Sequence, residues 1–267
     1  MRLTNNIRYV LIASIATLFA CKKVVTLNLS TAPTTIVIEG NVTNQSGPYF
    51  VSITNTVGFY ASNTFPPISG AVVKITDSTT GFIDSLTELY AGSGIYTTSK
   101  LVGTIGHTYL LDVIAGGKEY KASSTMPKEI TFDSLSFITN NGFGKPLTNP
   151  VANFQDPAGI NNYYNFVETI KGKPSKQIFT FSDRLSDGRY VTKQLFNDST
   201  YIQHGDTVEV EMQCIDKYVY NYLEQLSGQD DTNGQPTSPA DPTSNLTYGA
   251  LGYFSAHTSQ KKKAVYQ

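Results

Sequence analysis

The sequence predicts an all-β protein: a β-sandwich domain followed by a second β-rich domain that carries one amphipathic helix. Three observations predict it. Apolar and polar residues alternate with a period of two in one short segment after another, the spacing of strands with one buried face. Clusters of Gly, Pro, Asn and Ser separate those segments. A helical period is clear in a single segment, near residue 220.

The first segment is an address. Arg2 and Arg8 precede Tyr9–Ala20 (YVLIASIATLFA), twelve residues without a charge. As a helix these reach about 18 Å, short of the roughly 30 Å hydrocarbon core of a bilayer, so a signal peptide is expected rather than a membrane span. The run ends in Leu18-Phe19-Ala20-Cys21. That ending resembles the bacterial lipobox, whose cysteine is acylated after cleavage before it. Phe19 departs from the small or β-branched residue usual at its position. Residues 1–20 are read as a lipoprotein signal peptide, 21–32 as a tether, and Cys21 as the lipidation site that binds the chain to a lipid bilayer. An ordinary secretory signal with an incidental cysteine is the alternative. Loss of Arg2 and Arg8 with the leader leaves the remainder acidic by three charges.

Residues 33–127 are expected to form the sandwich. Alternation places Ile36 with Ile38 in Thr35–Gly40 and Val51 with Ile53 in Tyr49–Asn55. It places Val73 with Ile75 in Ala71–Thr76, and Tyr109, Leu111 and Val113 together in Thr108–Ile114. Met126-Pro127 closes the domain, because proline ends a strand. Residues 128–267 form the second domain. Strands are expected at Glu129–Thr139, Asn162–Ile170, Gln177–Ser182, Tyr190–Phe196, Thr207–Ile215 and Leu246–Ala256. Over 215–226, Ile215, Tyr218, Val219, Tyr222, Leu223 and Leu226 recur at helical spacing, with Asp216 as cap and Gly228 beyond the end. The lysines 261–263 are read as the opening of a polar tail. With Cys21 committed to lipid, Cys214 has no partner. It shares a face with Val208, Val210 and Met212, which points to a buried, unreactive thiol.

Chemistry is sparse. Lys+Arg is 20 against 21 Asp+Glu, so no basic surface exists to hold nucleic acid. Charged residues are 15 % and aromatics 12 %, a composition that folds rather than stays disordered. No G-x-S-x-G, H-E-x-x-H, phosphate loop or G-x-G-x-x-G occurs. The three histidines, 107, 204 and 257, lie on separate segments without ligand spacing, so neither metal nor cofactor is expected. His107 is read as structural. Asp230 and Asp231 lack the alternating oxygens of a calcium loop. Glu209 and Glu211 share a strand face, the geometry a carboxylate pair would need, but alternation with Val208 and Val210 explains them as a solvent face.

Two patterns remain. Arg184 and Arg189 are the only arginines after the leader, and Phe181–Tyr190 reads as a hairpin turn with Asp-Gly chemistry. Arg184, Arg189, Phe181 and Tyr190 form a candidate contact patch, since Arg and aromatics are enriched in interfaces; a merely charged turn is the alternative. Asp followed by Ser/Thr and a small or apolar residue resembles the O-glycosylation signal of exported Bacteroidota proteins. It occurs at Ser78, Ser85, Ser134, Ser199 and Thr207, more often than composition alone gives. Turn initiation by Asp-Ser/Thr is the alternative.

Several stretches together resemble a known family: Cys21-Lys22-Lys23, Ile38-Glu39-Gly40, Ser69–Asp77, Gly94-Ile95-Tyr96 and Gly106–Leu110 in the first half. Phe154–Phe166, Tyr218–Gln229 and Ser244–Ala256 follow in the second. The chain resembles Bacteroidota outer-membrane lipoproteins of unknown function found beside TonB-dependent receptors, the domain of unknown function 4249. The first half also looks like immunoglobulin/transthyretin-like and carboxypeptidase-regulatory-like sandwiches. The resemblance implies an outer-membrane location, without fixing the periplasmic or surface face, and a TonB-dependent receptor as partner. It carries over no catalytic residue. The expected function is therefore a non-enzymatic accessory or ligand-capturing component of a nutrient import system. An independent carbohydrate- or peptide-binding module is the runner-up, with Tyr163, Tyr164, Tyr218, Tyr220 and Tyr222 as stacking candidates. A hydrolase with an unrecognised site is the remote third.

Overall fold

In a computed structural model, residues 33–58, 61, 64–140, 146–196, 202–230 and 241–267 are described. Thr34–Val57 and Ala61–Gln267 form one compact unit. Cys21 and Ser199 lie outside the described residues.

The first half holds β1 (Ile36–Thr43), β2 (Phe50–Asn55), β3 (Val72–Asp77), β4 (Phe82–Glu88), β5 (Ile95–Thr97), β6 (Thr108–Ala115) and β7 (Lys118–Thr125). The second holds β8 (Ser134–Asn140), β9 (Leu147–Gln155), β10 (Tyr163–Ile170), β11 (Lys173–Pro174), β12 (Phe179–Ser182), β13 (Tyr190–Gln194) and β14 (Thr207–Ile215). The helix α1 (Lys217–Asp230) and the long β15 (Leu251–Val265) complete it. The class is all-β with one helix.

Among the described residues the strands make a large mixed sheet, ordered β11-β10-β14-β15-β1-β2-β5-β4-β3-β6-β7, with β12 on β10, and a small one, β13-β9-β8. In the first half the large sheet turns over on itself at β5–β4. Ile38, Val51 and Ile53 on one flank meet Val73, Leu111 and Val113 on the other, all at most 1 % exposed. These are the positions that alternation selects. A second core lies between the small sheet and β10–β14, where Phe154 packs on Tyr164 and Phe166, and Val210 and Met212 belong to the same cluster. Cys214 is buried there, and burial pushes its thiol pKa up.

β15 joins the two halves. Its N-terminal part pairs parallel with β1, Val37 opposite Leu251 through Thr43 opposite His257. Its C-terminal part pairs antiparallel with β14, Thr207 opposite Val265 through Cys214 opposite Thr258. Phe254 and Ala256 belong to the first core and Tyr266 to the edge of the second. The contact with β1 is close: Gly252 sits at φ +92°, and a Cβ there would fall 2.1 Å from the Ile38 carbonyl oxygen.

The large sheet is mixed, because β15 enters beside β1 from the same direction. Three expectations change. Lysines 261–263 are strand, not tail: they sit opposite Glu211, Val210 and Glu209, whose acidic side chains favour the pairing. The helix runs from Lys217 to Asp230, because Ile215 completes β14 and Gly228 is held inside the last turns. Tyr218 faces solvent, 68 % exposed, while Val219, Tyr222 and Leu223 form the buried stripe.

Candidate functional site

The strands β10, β14, β15 and β1 lie side by side, and successive side chains alternate between their two faces. One face supplies the cores. The other brings together polar residues from distant segments: Asn165 opposite Gln213, Gln213 opposite Ser259, and Asn41 opposite Ser255. They are wired to each other. Asn165 Nδ2 donates to Gln213 Oε1 at 2.8 Å, and Gln213 Nε2 donates to Glu211 Oε1 at 2.8 Å. Ser259 Oγ donates to the same Glu211 oxygen at 2.8 Å, and Lys261 Nζ lies 3.4 Å from Glu211 Oε2. Burial raises the Glu211 pKa, but the bonds from Gln213 and Ser259 and the nearby charges outweigh it, leaving the carboxyl below its ordinary value. Glu209 lies 3.8 Å from Lys261 as well. The paired carboxylates are thus tied into cross-strand contacts.

The helix roofs this face. Asp216 starts it, its Oδ1 accepting the N–H groups of Tyr218 at 2.8 Å and Val219 at 3.0 Å. Its Oδ2 accepts Ser124 Oγ, which fixes the helix start to the end of β7. Val219 and Leu223 then hang over the sheet beside a half-open hollow of about 280 Å³. Its polar wall is Asn41, Asn165, Gln213, Ser255 and His257; its apolar wall is Val167, Val219 and Leu223, with Tyr253 between them. Tyr253 packs on Tyr222 at 5.2 Å, and burial pushes its hydroxyl pKa up to about 12. His257 is 4 % exposed. Burial holds its pKa down to about 4, so the imidazole is neutral at pH 7. Ser255 Oγ and His257 Nδ1 are hydrogen-bonded at 2.9 Å. A nucleophile–base arrangement would need an acid on the other ring nitrogen; Glu211 acts on this imidazole only through space.

The arginine segment is built differently from its sequence reading. β12 pairs with β10 and β13 with β9, so Phe181–Tyr190 crosses between two sheets and is not a hairpin. A short 3₁₀ turn, Asp183–Leu185, starts the crossing. Gly188, at φ +71°, packs where a Cβ would meet Ala158 at 2.8 Å. Arg184 and Arg189 are exposed, as are Leu185 at 82 % and Tyr190 at 55 %. Phe181 instead turns inward, against Phe154 and Tyr164, with Lys193 over its ring. The exposed surface is therefore Arg184, Leu185, Arg189 and Tyr190.

Beneath this turn Asp156, Asp183 and Asp187 bring carboxylate oxygens within 4.8 Å of one another, a spacing that a hard cation could use. Each carboxylate also closes a loop. Asp156 accepts Tyr164 OH and the Gly188 N–H, Asp183 accepts the Asn162 N–H at 2.8 Å, and Asp187 accepts the Gly159 N–H at 2.8 Å. Burial above all raises the Asp156 pKa, with a further push from its two neighbours.

The other sequence candidates are scattered. Ser78, Ser85 and Ser134 are exposed and Thr207 is half-buried within β14. Asp77 and Asp84, which precede two of them, hold turns: Asp77 bonds His107 at 2.8 Å, and Asp84 accepts the N–H groups of residues 99–101. The tyrosines do not share a face. Tyr164 is buried, Tyr163 stacks on Tyr220 at 5.0 Å, and Tyr222 faces the sheet. A larger, shallower hollow of about 660 Å³ lies between the end of β7, the start of α1 and Thr243–Asn245. No described helix is long and apolar enough to cross a membrane.

Comparison with known proteins gives one family model, described as a domain of unknown function (DUF4249), which matches residues 22–263. No curated protein matches.

Proposed function

We propose, from the premise that the chain belongs to the DUF4249 family of domains of unknown function, that it is a non-enzymatic lipoprotein of the outer membrane. It is held there through an acylated Cys21 and serves a TonB-dependent nutrient import system as an accessory or ligand-capturing component. The observation that carries this reading is Cys21 at the end of a charge-free, twelve-residue stretch. Two structural features support it. Ser255 and His257 line a hollow whose described lining is uncharged, a surface suited to holding a ligand. Arg184, Arg189 and Tyr190 are exposed and are residue types that interfaces favour, with Leu185 exposed between them.

The test is co-purification. Tagged chain extracted in detergent from native membranes brings down an outer-membrane TonB-dependent receptor. Recovery only from the soluble periplasm, without acyl chains, contradicts the proposal. A second reading, an independent carbohydrate- or peptide-binding module, is favoured by the hollow under α1. It predicts ligand binding with no receptor in the pull-down.

A further inference from the structure

The half-open hollow under α1 has an amide on each of three strands, Asn41, Asn165 and Gln213, and a hydroxyl and an imidazole on a fourth, Ser255 and His257. The His257 ring is held in place on this wall by the hydrogen bond between its Nδ1 and Ser255 Oγ, and the residue is 4 % exposed.

The lining selects the partner. It contains no Asp, Glu, Lys or Arg, and burial keeps the imidazole uncharged. The lining itself offers a charged ligand no counter-ion, which low-polarity surroundings penalise. Carboxamides offer both donors and acceptors in fixed directions, which suits several hydroxyl groups better than one functional group. Across from them Val167, Val219 and Leu223, with the Tyr253 ring, make an apolar wall for a C–H face. The volume, about 280 Å³, holds roughly nine waters at about 30 Å³ each and lies near the lower bound of small-molecule sites. We infer that the hollow binds an uncharged, polyhydroxylated molecule of monosaccharide size, with Asn165, Gln213 and His257 on its hydroxyl edge and Tyr253 and Leu223 on its apolar face. This inference rests on the reading of the chain as a ligand-capturing component and names what it captures.

Histidine NMR tests it, because the chain has only three histidines. The full chain, purified in detergent with ¹⁵N-labelled histidine, is titrated to millimolar concentrations with D-glucose, D-galactose, D-mannose and N-acetyl-D-glucosamine. At least one of these moves the His257 signals saturably while His107 and His204 stay in place. D-Glucuronate and D-glucosamine leave His257 unmoved. Asn165→Leu weakens the effect at least tenfold; should that variant not fold, the wild-type titration still decides. The inference is overturned if none of the four neutral sugars moves His257, if the charged sugars move it equally, or if all three histidines shift together. Receptor co-purification without a sugar response overturns this inference alone. A sugar response without the receptor supports the site and overturns the receptor association.

Discussion

Replacement of Glu211 tests whether the polar face is a built network or a row of independent residues. Its Oε1 accepts both Gln213 Nε2 and Ser259 Oγ, and Gln213 in turn holds Asn165. Glu211→Leu leaves an amide and a hydroxyl without their acceptor. Hydrogen bonds to a charged group contribute about 1.5–3 kcal/mol each. The Glu211 side chain is 18 % exposed, so water replaces part of the loss. An expected cost of about 3 kcal/mol follows, a fall in Tm of about 6–12 °C for a chain of this size. Glu211→Gln keeps a carbonyl oxygen in the Oε1 position and loses only the charge and the exposed Lys261 contact, so about 1 kcal/mol is expected. The sign with pH is fixed by the lowered carboxyl pKa. Stability from this group is complete above the unfolded value, about 4.3, and is lost as pH falls through the lower folded value. The gap between wild type and Glu211→Leu therefore narrows as the solution is acidified through that range. Thermal unfolding of the three proteins from pH 7 to pH 3 measures it. A Glu211→Leu protein within a degree of wild type at pH 7, or a Gln variant as damaged as the Leu variant, refutes the network.

Three further outcomes follow from the same structure. Gly252→Ala drives a Cβ into the Ile38 carbonyl and parts β1 from β15, so a loss above about 4 kcal/mol is expected, read as absence of a cooperative unfolding transition. Cys214 is 3 % exposed with its pKa raised by burial, so Ellman's reagent reacts with it only after denaturation; prompt reaction in the native state refutes its placement. The Arg184→Ala/Arg189→Ala double variant, altering two exposed side chains, keeps its unfolding free energy within about 0.5 kcal/mol per site and loses most of the receptor from the pull-down. Undiminished recovery removes the arginine turn from the interface.

Strands with one wet face were readable because burial and alternation agree: Thr207–Ile215 appears in the structure with the bounds that its pattern predicts. β9 escaped for the opposite reason. Seven consecutive residues from Thr148 to Phe154 are buried, so no period-two signal survives, and Pro150 looks like a breaker. Pro150 lies one residue past the last β13 partner, Gln194 opposite Val151, and its carbonyl still accepts from Leu195 N. The lysine run hid the end of β15, since three like charges read as solvated while their acidic partners sit on β14, some fifty residues earlier in the chain. The hollow was illegible for a related reason. Asn41, Asn165, Gln213 and His257 each look like an ordinary polar position in a strand, and only strand register brings them to one wall. In the arginine segment the exposed arginines and Tyr190 were legible, but Phe181 was not, because the crossing between sheets turns its ring inward.

The acyl anchor is tested most directly by the distribution of a Cys21→Ser chain between membrane and soluble fractions of the exporting cell. Wild type fractionates with the outer membrane, and the serine variant leaves it. A serine variant that stays in the membrane fraction to the same extent contradicts the acyl anchor, and with it the function proposed for the domain.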